Sequence, residues 1–458
     1  MKSVEGFRNQ LEEIVGSAFV LILAGAGIFL SVRLRFFPLV HCKAVWRETF
    51  GRLFHRADKA GKGSVSPFQA TATALAGTLG TGNIVGVATA LVSGGPGAVV
   101  WMGISSFFSM ALKFAEIVLA VEYRTKDANG HWVGGPMYYL QDGVRSPLLA
   151  AVFSVLCASA SFGIGNLAQS NAAAGAMKAA FGIPLPVTGA VTVLFVGLTF
   201  CGGLSWIGKV TERVVPVMAG IYLLASAAVL LLSAEKLPGI FVRMFREAFS
   251  LQAASGGILG FLIGRPVQVG VARGVFSNEA GMGSAPIVHG AAETDSSVRQ
   301  GFWGVVEVFL DTTLMCTVTA LVILSAGDLA GELRGAALTA SAFERVLGRG
   351  AAGFVSVSIF AFAAASILGW SYYGEKAVAY LTTSVKALRI YRVAYLLAVF
   401  VGAMLSLEAV WAISDLLNLL MAIPNVAAVL LLLPAAKVTC CMSSIPVCCR
   451  NIWSQTVP

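Results

Sequence analysis

The amino-acid sequence predicts an all-α protein that crosses a membrane many times, with about eleven transmembrane helices. Charged residues make up only 12% of the 458 residues and hydrophobic residues 57%, whereas soluble domains carry about 25% charged residues. The 50 glycines and 15 prolines fall largely in apolar stretches, where membrane helices tolerate them better than soluble helices do. This composition excludes a soluble enzyme, a disordered chain and a module that binds nucleic acid.

Eleven stretches are apolar and long enough to be spans, each of which needs about 20 residues. The first, at 14–32, follows a segment of net negative charge, so we interpret it as a retained helix and not as a cleaved signal. Two more lie between 62 and 113, separated by the turn residues 93–97. The others are 146–177, 179–208, 214–234, 248–292, 301–327, 350–374, 393–407 and 409–436.

The distribution of Lys and Arg predicts how these spans are oriented. The loop at 33–62 alone holds eight of them. Together with the other loops on the same side of the membrane, it contains about twenty of the 32 basic residues. Because cytoplasmic loops carry the excess of positive charge, we expect the N-terminus outside and the C-terminus inside. The predicted location is the cell (inner) membrane.

Two spans are interrupted near their middles by glycine and polar residues. The first interruption reads GTLGTGN (77–83) and the second GVFSNEAGMGS (274–284). Each begins a set of five spans, and because five is an odd number, the second set is inverted relative to the first. Interrupted helices in matching positions of inverted halves are typical of a transporter's binding site, whereas helix packing by small residues would explain only one such helix. We expect an N-terminal helix and basic loop at 1–66, five-helix repeats at 67–235 and 250–436, and a cytoplasmic tail at 437–458.

Eight segments identify the family that the chain resembles. They are GTLGTGNIVGVATAL (77–91), GGPGAVVWMG (94–103), KFAEIVLAVEYR (113–124), VGGPMYYL (133–140), GVARGVFSNEAGMGSAPI (270–287), VRQGFWGVVEVFLDT (298–312), ILGWSYYGEK (367–376) and LLNLLMAIPN (416–425). Along nearly its whole length the chain resembles the alanine or glycine:cation symporter family, also called the sodium:alanine symporters. One departure is Gln268, where the family has a basic residue; Arg265 lies almost one helical turn earlier.

The resemblance implies Na⁺-coupled uptake of alanine or glycine by a LeuT-type fold of two inverted five-helix repeats. Proton coupling and acceptance of D-alanine are also compatible with it. A monomer is expected to suffice for transport, in contact with membrane lipid and without nucleic acid or an organic cofactor.

An amino-acid substrate offers a carboxylate, which needs N–H and hydroxyl donors. Span two supplies them from Thr78, Gly80, Thr81, Gly82 and Asn83. Gln169 in span four has an amide that is costly in lipid unless it is used; the resemblance implies that it contacts substrate, and a bond between helices is the alternative. The candidates in span seven and span nine are Phe276, Ser277, Asn278, Glu279, Gly281 and Trp370.

Three of these candidates have expected roles. Phe276 is placed to cap a pocket the size of a methyl group. Glu279 either meets Na⁺ or the substrate ammonium, or fixes the interrupted helix by accepting hydrogen bonds from backbone N–H groups. Trp370 either gates the ion site or packs between helices.

Hard cations prefer oxygen ligands, and this preference predicts the Na⁺ site. We expect Na⁺ between backbone carbonyls near Gly77 and Gly80 and the hydroxyl of Ser366, which occupies the position where the family has Thr or Ser.

Two pairs of charged residues within spans have helical spacing. Glu307 and Asp311 share a helix face at i,i+4 spacing and are interpreted as part of a polar network or of a proton path. Lys113 and Glu116, at i,i+3 spacing, are expected to form an ion pair.

An ion channel and an intramembrane enzyme are the alternatives from other classes. A channel filter is built from short segments repeated around an oligomer, not from two inverted interrupted helices. An enzyme needs a nucleophile or acid–base set, and the four histidines (His41, His55, His131, His289) fall at span ends or in loops.

Overall fold

The computed structural model describes residues 20–52, 65–249, 264–327 and 333–433. The expected tail at 437–458, residues 14–19 of the first expected span and residues 250–263 of the expected span 248–292 lie outside the described residues. Within the described residues the chain is built from helices, apart from short connections and one antiparallel ribbon that pairs β1 (Thr125–Lys126) with β2 (Trp132–Val133).

The α-helices are α1 (Gly25–Arg33), α2 (Phe37–Val40), α3 (Cys42–Glu48), α4 (Pro67–Thr78), α5 (Val85–Gly94), α6 (Gly97–Glu122), α7 (Pro136–Tyr138), α8 (Pro147–Phe162), α9 (Ala168–Phe181), α10 (Leu185–Leu232), α11 (Leu237–Ala248), α12 (Arg265–Asn278), α13 (Ala285–His289), α14 (Ser297–Val308), α15 (Thr317–Ser325), α16 (Gly335–Leu347), α17 (Ala351–Leu381), α18 (Val385–Gly402) and α19 (Leu407–Leu432). Four π-helical segments adjoin them, at Val20–Ala24, Tyr139–Gly143, Gly163–Leu167 and Phe309–Cys316.

Six helical stretches in the described residues are long and apolar enough to cross a membrane. They are Gly97–Glu122, Pro147–Phe181, Ile207–Leu232, Ser297–Ser325, Ala351–Leu381 and Ile413–Leu432. Shorter apolar pieces, among them α5, accompany them. The chain is therefore a multi-pass membrane protein, as its composition predicts.

Helix α10 covers two predicted spans, 179–208 and 214–234, without an interruption over its 48 residues. The expected loop between these spans is wrong, because the charged residues at 209–213 continue the helix instead of ending it. A straight helix from Leu185, where α10 begins, to Tyr222 would measure about 55 Å. Phe181, just before α10, nevertheless lies beside Gly353 of α17, and the ring of Tyr222 is 6.0 Å from that of Phe362, which is only about 14 Å from Gly353 along α17. Helix α10 is therefore sharply bent, and its two arms correspond to the two predicted spans.

Helix α6 lies at the centre of the bundle, and 83% of its most apolar 18-residue segment is buried. Glycines let its neighbours approach closely: a Cβ atom at Gly274 of α12 would be 2.6 Å from Ser105 Oγ, and one at Gly301 of α14 would be 2.7 Å from the Phe114 ring. Lipid gives helices little hydrophobic reason to associate, so close contact through small residues is a main source of stability in a membrane bundle.

Candidate functional site

The first interruption lies between α4 and α5, where the sequence predicts it. A capping box of Ser66 and Gln69 begins α4. The helix ends at Thr78, Gly80 is extended (φ −113°, ψ −151°), and a 3₁₀ turn at Thr81–Asn83 leads into α5. Backbone groups in this segment leave the α-helical ladder and become available for other partners.

Gly80, Gln169 and Ser366 meet at this interruption. A Cβ atom on Gly80 would lie 2.8 Å from Gln169 Oε1 and 3.1 Å from Ser366 Oγ. The Thr81 N–H donates to Gln169 Oε1 at 3.0 Å, while the amide nitrogen of Gln169 donates to the carbonyl of Ile164 at 3.0 Å. Gln169 therefore fixes the first interruption to the π-helical segment that precedes α9.

The predicted Na⁺ ligands are adjacent. Ser366 Oγ, on α17, donates to the Gly77 carbonyl at 2.8 Å. Glycine at 369 brings α17 onto α4, since a Cβ atom there would be 2.9 Å from Gly77 N. The carbonyl and the hydroxyl that the sequence proposes as ligands thus come from two closely packed helices.

The second interruption separates α12 from α13 and has a strained backbone. Glu279 adopts a left-handed conformation (φ 56°), and Gly281 and Gly283 also have positive φ angles, of 82° and 81°. A non-glycine residue with positive φ is uncommon and persists only where its surroundings hold it.

The side chain of Glu279 is held by two donors. Trp370 Nε1 donates to its Oε1 at 2.8 Å, and Ser284 Oγ donates to its Oε2 at 2.6 Å. The Glu279 side chain thus ties the second interruption to α17 and to the residue before α13. These donors are side chains, and not the backbone N–H groups that the structural alternative predicts.

Asn83, Ser277 and Asp311 join the two interruptions. Asn83 Nδ2 donates to Ser277 Oγ at 3.0 Å and to Asp311 Oδ1 at 2.7 Å. Ser277 Oγ donates to the other carboxylate oxygen at 2.7 Å, and Asn278 reaches the same cluster through Thr312 at 3.1 Å. Asp311 therefore belongs to a polar network that reaches the candidate site.

Lys113 does not pair with Glu116, so that prediction is wrong. Lys113 Nζ lies 3.3 Å from Glu307 Oε1, and the other Glu307 oxygen lies 3.3 Å from His289 Nε2. Gln300 completes this buried chain by bonding His289 Nδ1 at 2.7 Å. His289 is the last residue of α13, which agrees with its predicted place at the end of a span. Its side chain is fully buried and interacts with the Glu307 carboxylate.

Glu116 forms a second buried cluster that the sequence did not reveal. Its oxygens accept hydrogen bonds from Asn425 Nδ2 at 2.8 Å and from the Gly281 N–H at 3.3 Å. Asn425 also donates to the Gly281 carbonyl at 2.8 Å and accepts from the Tyr139 hydroxyl. The only sequence signal was a polar residue after Pro424 in an apolar span, together with a carboxylate in span three.

Not every candidate faces the others. Thr78 Oγ1 bonds the Ala74 carbonyl of its own helix at 3.3 Å, and the Gly281 backbone is taken by Glu116 and Asn425. The remaining candidates converge, and a Cβ atom on Gly82 would be 3.4 Å from both the Phe276 ring and Ser277 Cα. Their side chains are at most 4% exposed, so the structure shows the site closed to water.

Comparisons with known proteins agree with this architecture. The model of the sodium:alanine symporter family matches residues 1–441. The chain is 44% identical to the sodium/alanine symporter AgcS of Methanococcus maripaludis, over 93% of this chain and 94% of that protein. It is 37% identical to a probable sodium/glutamine symporter, GlnT, of Bacillus subtilis, over 92% of this chain and 88% of that one.

A solved structure shows the same fold. The manganese transporter of Eremococcus coleocola, in complex with an aromatic bis-isothiourea compound, gives a TM-score of 0.52 at 16% identity, over 81% of this chain and 78% of that chain. The fold is the predicted LeuT type, with two interrupted helices. The chain belongs to the sodium:alanine symporter family, whose members are Na⁺-coupled amino-acid transporters and not enzymes.

Proposed function

We propose that this protein carries alanine or glycine into the cell together with Na⁺. The observation that carries the proposal is the contact between the two interruptions, where Asn83 on one and Ser277 on the other share the buried carboxylate of Asp311. Interrupted helices that meet in this way present free backbone groups to a small zwitterion at membrane depth.

The proposed Na⁺ site lies beside Gly77, Gly80 and Ser366. In the structure the Ser366 hydroxyl donates its proton to the Gly77 carbonyl. With Na⁺ present, the hydroxyl turns and offers a lone pair, so both oxygens face the ion, as hard cations require. Gly80 has no side chain, which leaves its backbone open to the same point.

The proposed substrate site lies between the Thr81–Asn83 turn and Phe276–Glu279. A buried Thr81 hydroxyl without a hydrogen-bond partner among the described residues is suited to a substrate carboxylate. A Cβ atom on Gly82 would already be at van der Waals distance from the Phe276 ring, 3.4 Å, which leaves room for a methyl group and little more. The substrate is therefore proposed to be alanine or glycine, with D-alanine as a further candidate.

The two proposed repeats are supported by a constant offset along the chain. Interruptions, long helices and helical arms recur about 200 residues apart: α6 corresponds to α14–α15, α8–α9 to α17, and the two arms of α10 to α18 and α19. We assign 67–235 and 250–436 as the repeats, with 1–66 before them. The Lys and Arg count supports an outer N-terminus and a cytoplasmic C-terminus.

The test is uptake of radiolabelled L-alanine by proteoliposomes that contain the purified protein. Uptake should require an inward Na⁺ gradient, stop when choline replaces Na⁺, and persist with a proton uncoupler. If uptake is unchanged when choline replaces Na⁺ and is abolished by the uncoupler, the transport is coupled to protons instead.

Competition by unlabelled amino acids tests the substrate separately. Glycine and D-alanine should compete, serine and cysteine weakly, and leucine hardly at all, because one methylene in an apolar pocket is worth about 1–3 kcal/mol. Glutamine, the substrate in the name of the relative GlnT, is the informative alternative. If glutamine inhibits more strongly than alanine, the substrate assignment is wrong while Na⁺ coupling stands.

A further inference from the structure

Arg273 and Asp415 are charged residues within membrane helices that the proposed site does not use. Arg273 lies on α12, five residues before that helix ends at Asn278, and pairs with Asp415 of α19. Their side chains are 14% and 16% exposed, whereas the site residues beyond them are nearly fully buried. Charged side chains at membrane depth are costly and are retained mainly where they have a function.

The Arg273 side chain of this ion pair lies against two aromatic rings. The Arg273 guanidinium lies 4.4 Å from the centre of the Trp411 ring and 5.5 Å from that of Phe276. The centroids of the Trp411 and Phe276 rings are 4.3 Å apart, with the ring planes tilted by 38°, and a Cβ atom on Gly82 would be 3.4 Å from the Phe276 ring. A continuous series of contacts thus runs from the partly exposed ion pair down to the proposed substrate site.

Trp411 also contacts the first interrupted helix. A Cβ atom on Gly86 of α5 would be 3.5 Å from Trp411 Cη2. The indole ring therefore fills the space between α5, α12 and α19, directly behind the ring that borders the substrate. Trp411 is 8% exposed, so the indole ring is largely buried where it packs behind Phe276.

We propose that Trp411 limits the size of the substrate side chain, and that the Arg273–Asp415 pair holds its ring in place. The inference rests on the proposed function, in which Phe276 borders a small amino acid. Phe276 alone is a flat ring that rotates or withdraws if nothing supports it from behind. With Trp411 packed against it and the Arg273 guanidinium on the indole face, the Phe276 ring has no space into which it can move. The cation–π contact favours Arg over Lys, because the planar guanidinium also stacks on the ring.

The decisive variant is Trp411→Ala, examined by two readouts. The first is inhibition of Na⁺-dependent alanine uptake by leucine, relative to inhibition by unlabelled alanine. The second is thermal stabilisation of the purified protein by each of a panel of amino acids. We expect the preference for alanine over leucine to fall about tenfold or more, and larger amino acids to stabilise the variant but not the wild-type protein.

Trp411→Phe is the milder variant, for use if Trp411→Ala does not fold. A smaller ring should change the preference in the same direction and by less. Folded variants with the wild-type preference and the wild-type stabilisation profile would overturn the proposal. If the wild-type protein takes up no alanine, the proposed function is wrong. The proposal for Trp411 is still tested in that case, because the stabilisation profiles show whether the variant accepts larger amino acids than the wild-type protein does.

Arg273 and Asp415 are tested as positioning residues. Arg273→Gln and Asp415→Asn should each relax the preference in the same direction as Trp411→Ala, and Arg273→Lys should restore it only in part. The matched control is the partly exposed pair of Arg392 and Glu375, 2.6 Å apart. Arg392→Gln should leave the preference unchanged, and a purely structural role for Arg273 predicts lower stability with no change in preference.

Discussion

Glu279→Gln separates the two roles left open for this carboxylate. The side chain keeps its shape and loses its charge. In the structure both oxygens accept hydrogen bonds, from the Trp370 indole and the Ser284 hydroxyl, so we expect a loss of stability with alanine binding weakened but detectable. A direct role toward Na⁺ or the substrate ammonium predicts the opposite result, in which transport is lost and stability is kept.

The magnitude follows from those two bonds. An indole N–H only donates, so the glutamine oxygen must face Trp370 and its NH₂ group must face Ser284, whose hydroxyl turns to accept. Two charge-assisted bonds become two neutral ones, and a hydrogen bond to a charged group contributes about 1.5–3 kcal/mol against about 0.5–1.5 kcal/mol for a neutral one. The expected loss is about 1–3 kcal/mol, after the smaller desolvation cost of an amide is allowed for.

The assay is thermal unfolding of the purified variant, with Na⁺-dependent alanine binding measured on the same sample. Ser284→Ala removes one of the two charge-assisted bonds and keeps the other, so it should destabilise by a comparable amount, about 1.5–3 kcal/mol. Glu375→Gln, at a partly exposed ion pair, is the control and should change stability little. Wild-type stability together with wild-type binding in Glu279→Gln would refute both roles.

Three further predictions concern the same region. Ser366→Ala removes one proposed ion ligand, so the Na⁺ concentration for half-maximal uptake should rise about tenfold, equivalent to ~1.4 kcal/mol. Alanine recognition at saturating Na⁺ should be kept, and an unchanged Na⁺ titration would contradict the proposed Na⁺ site. Gly80→Ala should abolish uptake because its Cβ would lie 2.8 Å from an amide oxygen, whereas Gly82→Ala, at 3.4 Å from its neighbours, should fold and lose alanine uptake more than glycine uptake. Lys113→Met leaves Glu307 buried without its cation and should cost about 3–5 kcal/mol in thermal or denaturant unfolding, most of which a second change of Glu307→Leu should restore.

The positions of the interruptions were predictable from sequence, because glycine and polar residues within an apolar span leave few alternatives to unwinding. The partners of polar residues were not. Lys113 and Glu116 have the spacing of a helical ion pair, yet Lys113 reaches Glu307 on another helix. Glycine at 304 lets α14 approach Lys113 so closely that a Cβ atom there would be 2.9 Å from its Cγ. The distance between helices decides such pairings, and local spacing does not contain it.

Regular helical spacing fails where the helices themselves are irregular, and this explains most of the remaining differences. The segment Phe309–Cys316 is π-helical, so Glu307 and Asp311 join separate networks despite their i,i+4 spacing. The π-helical segment at Gly163–Leu167 contains Ile164, whose carbonyl holds Gln169, and the one at Tyr139–Gly143 contains the tyrosine that bonds Asn425. A π turn widens the helix and displaces one carbonyl from the ladder. Among the described residues, two of the four π-helical segments thus border the candidate site and a third borders the Glu116 cluster, and these are the places where helical periodicity predicts partners least well.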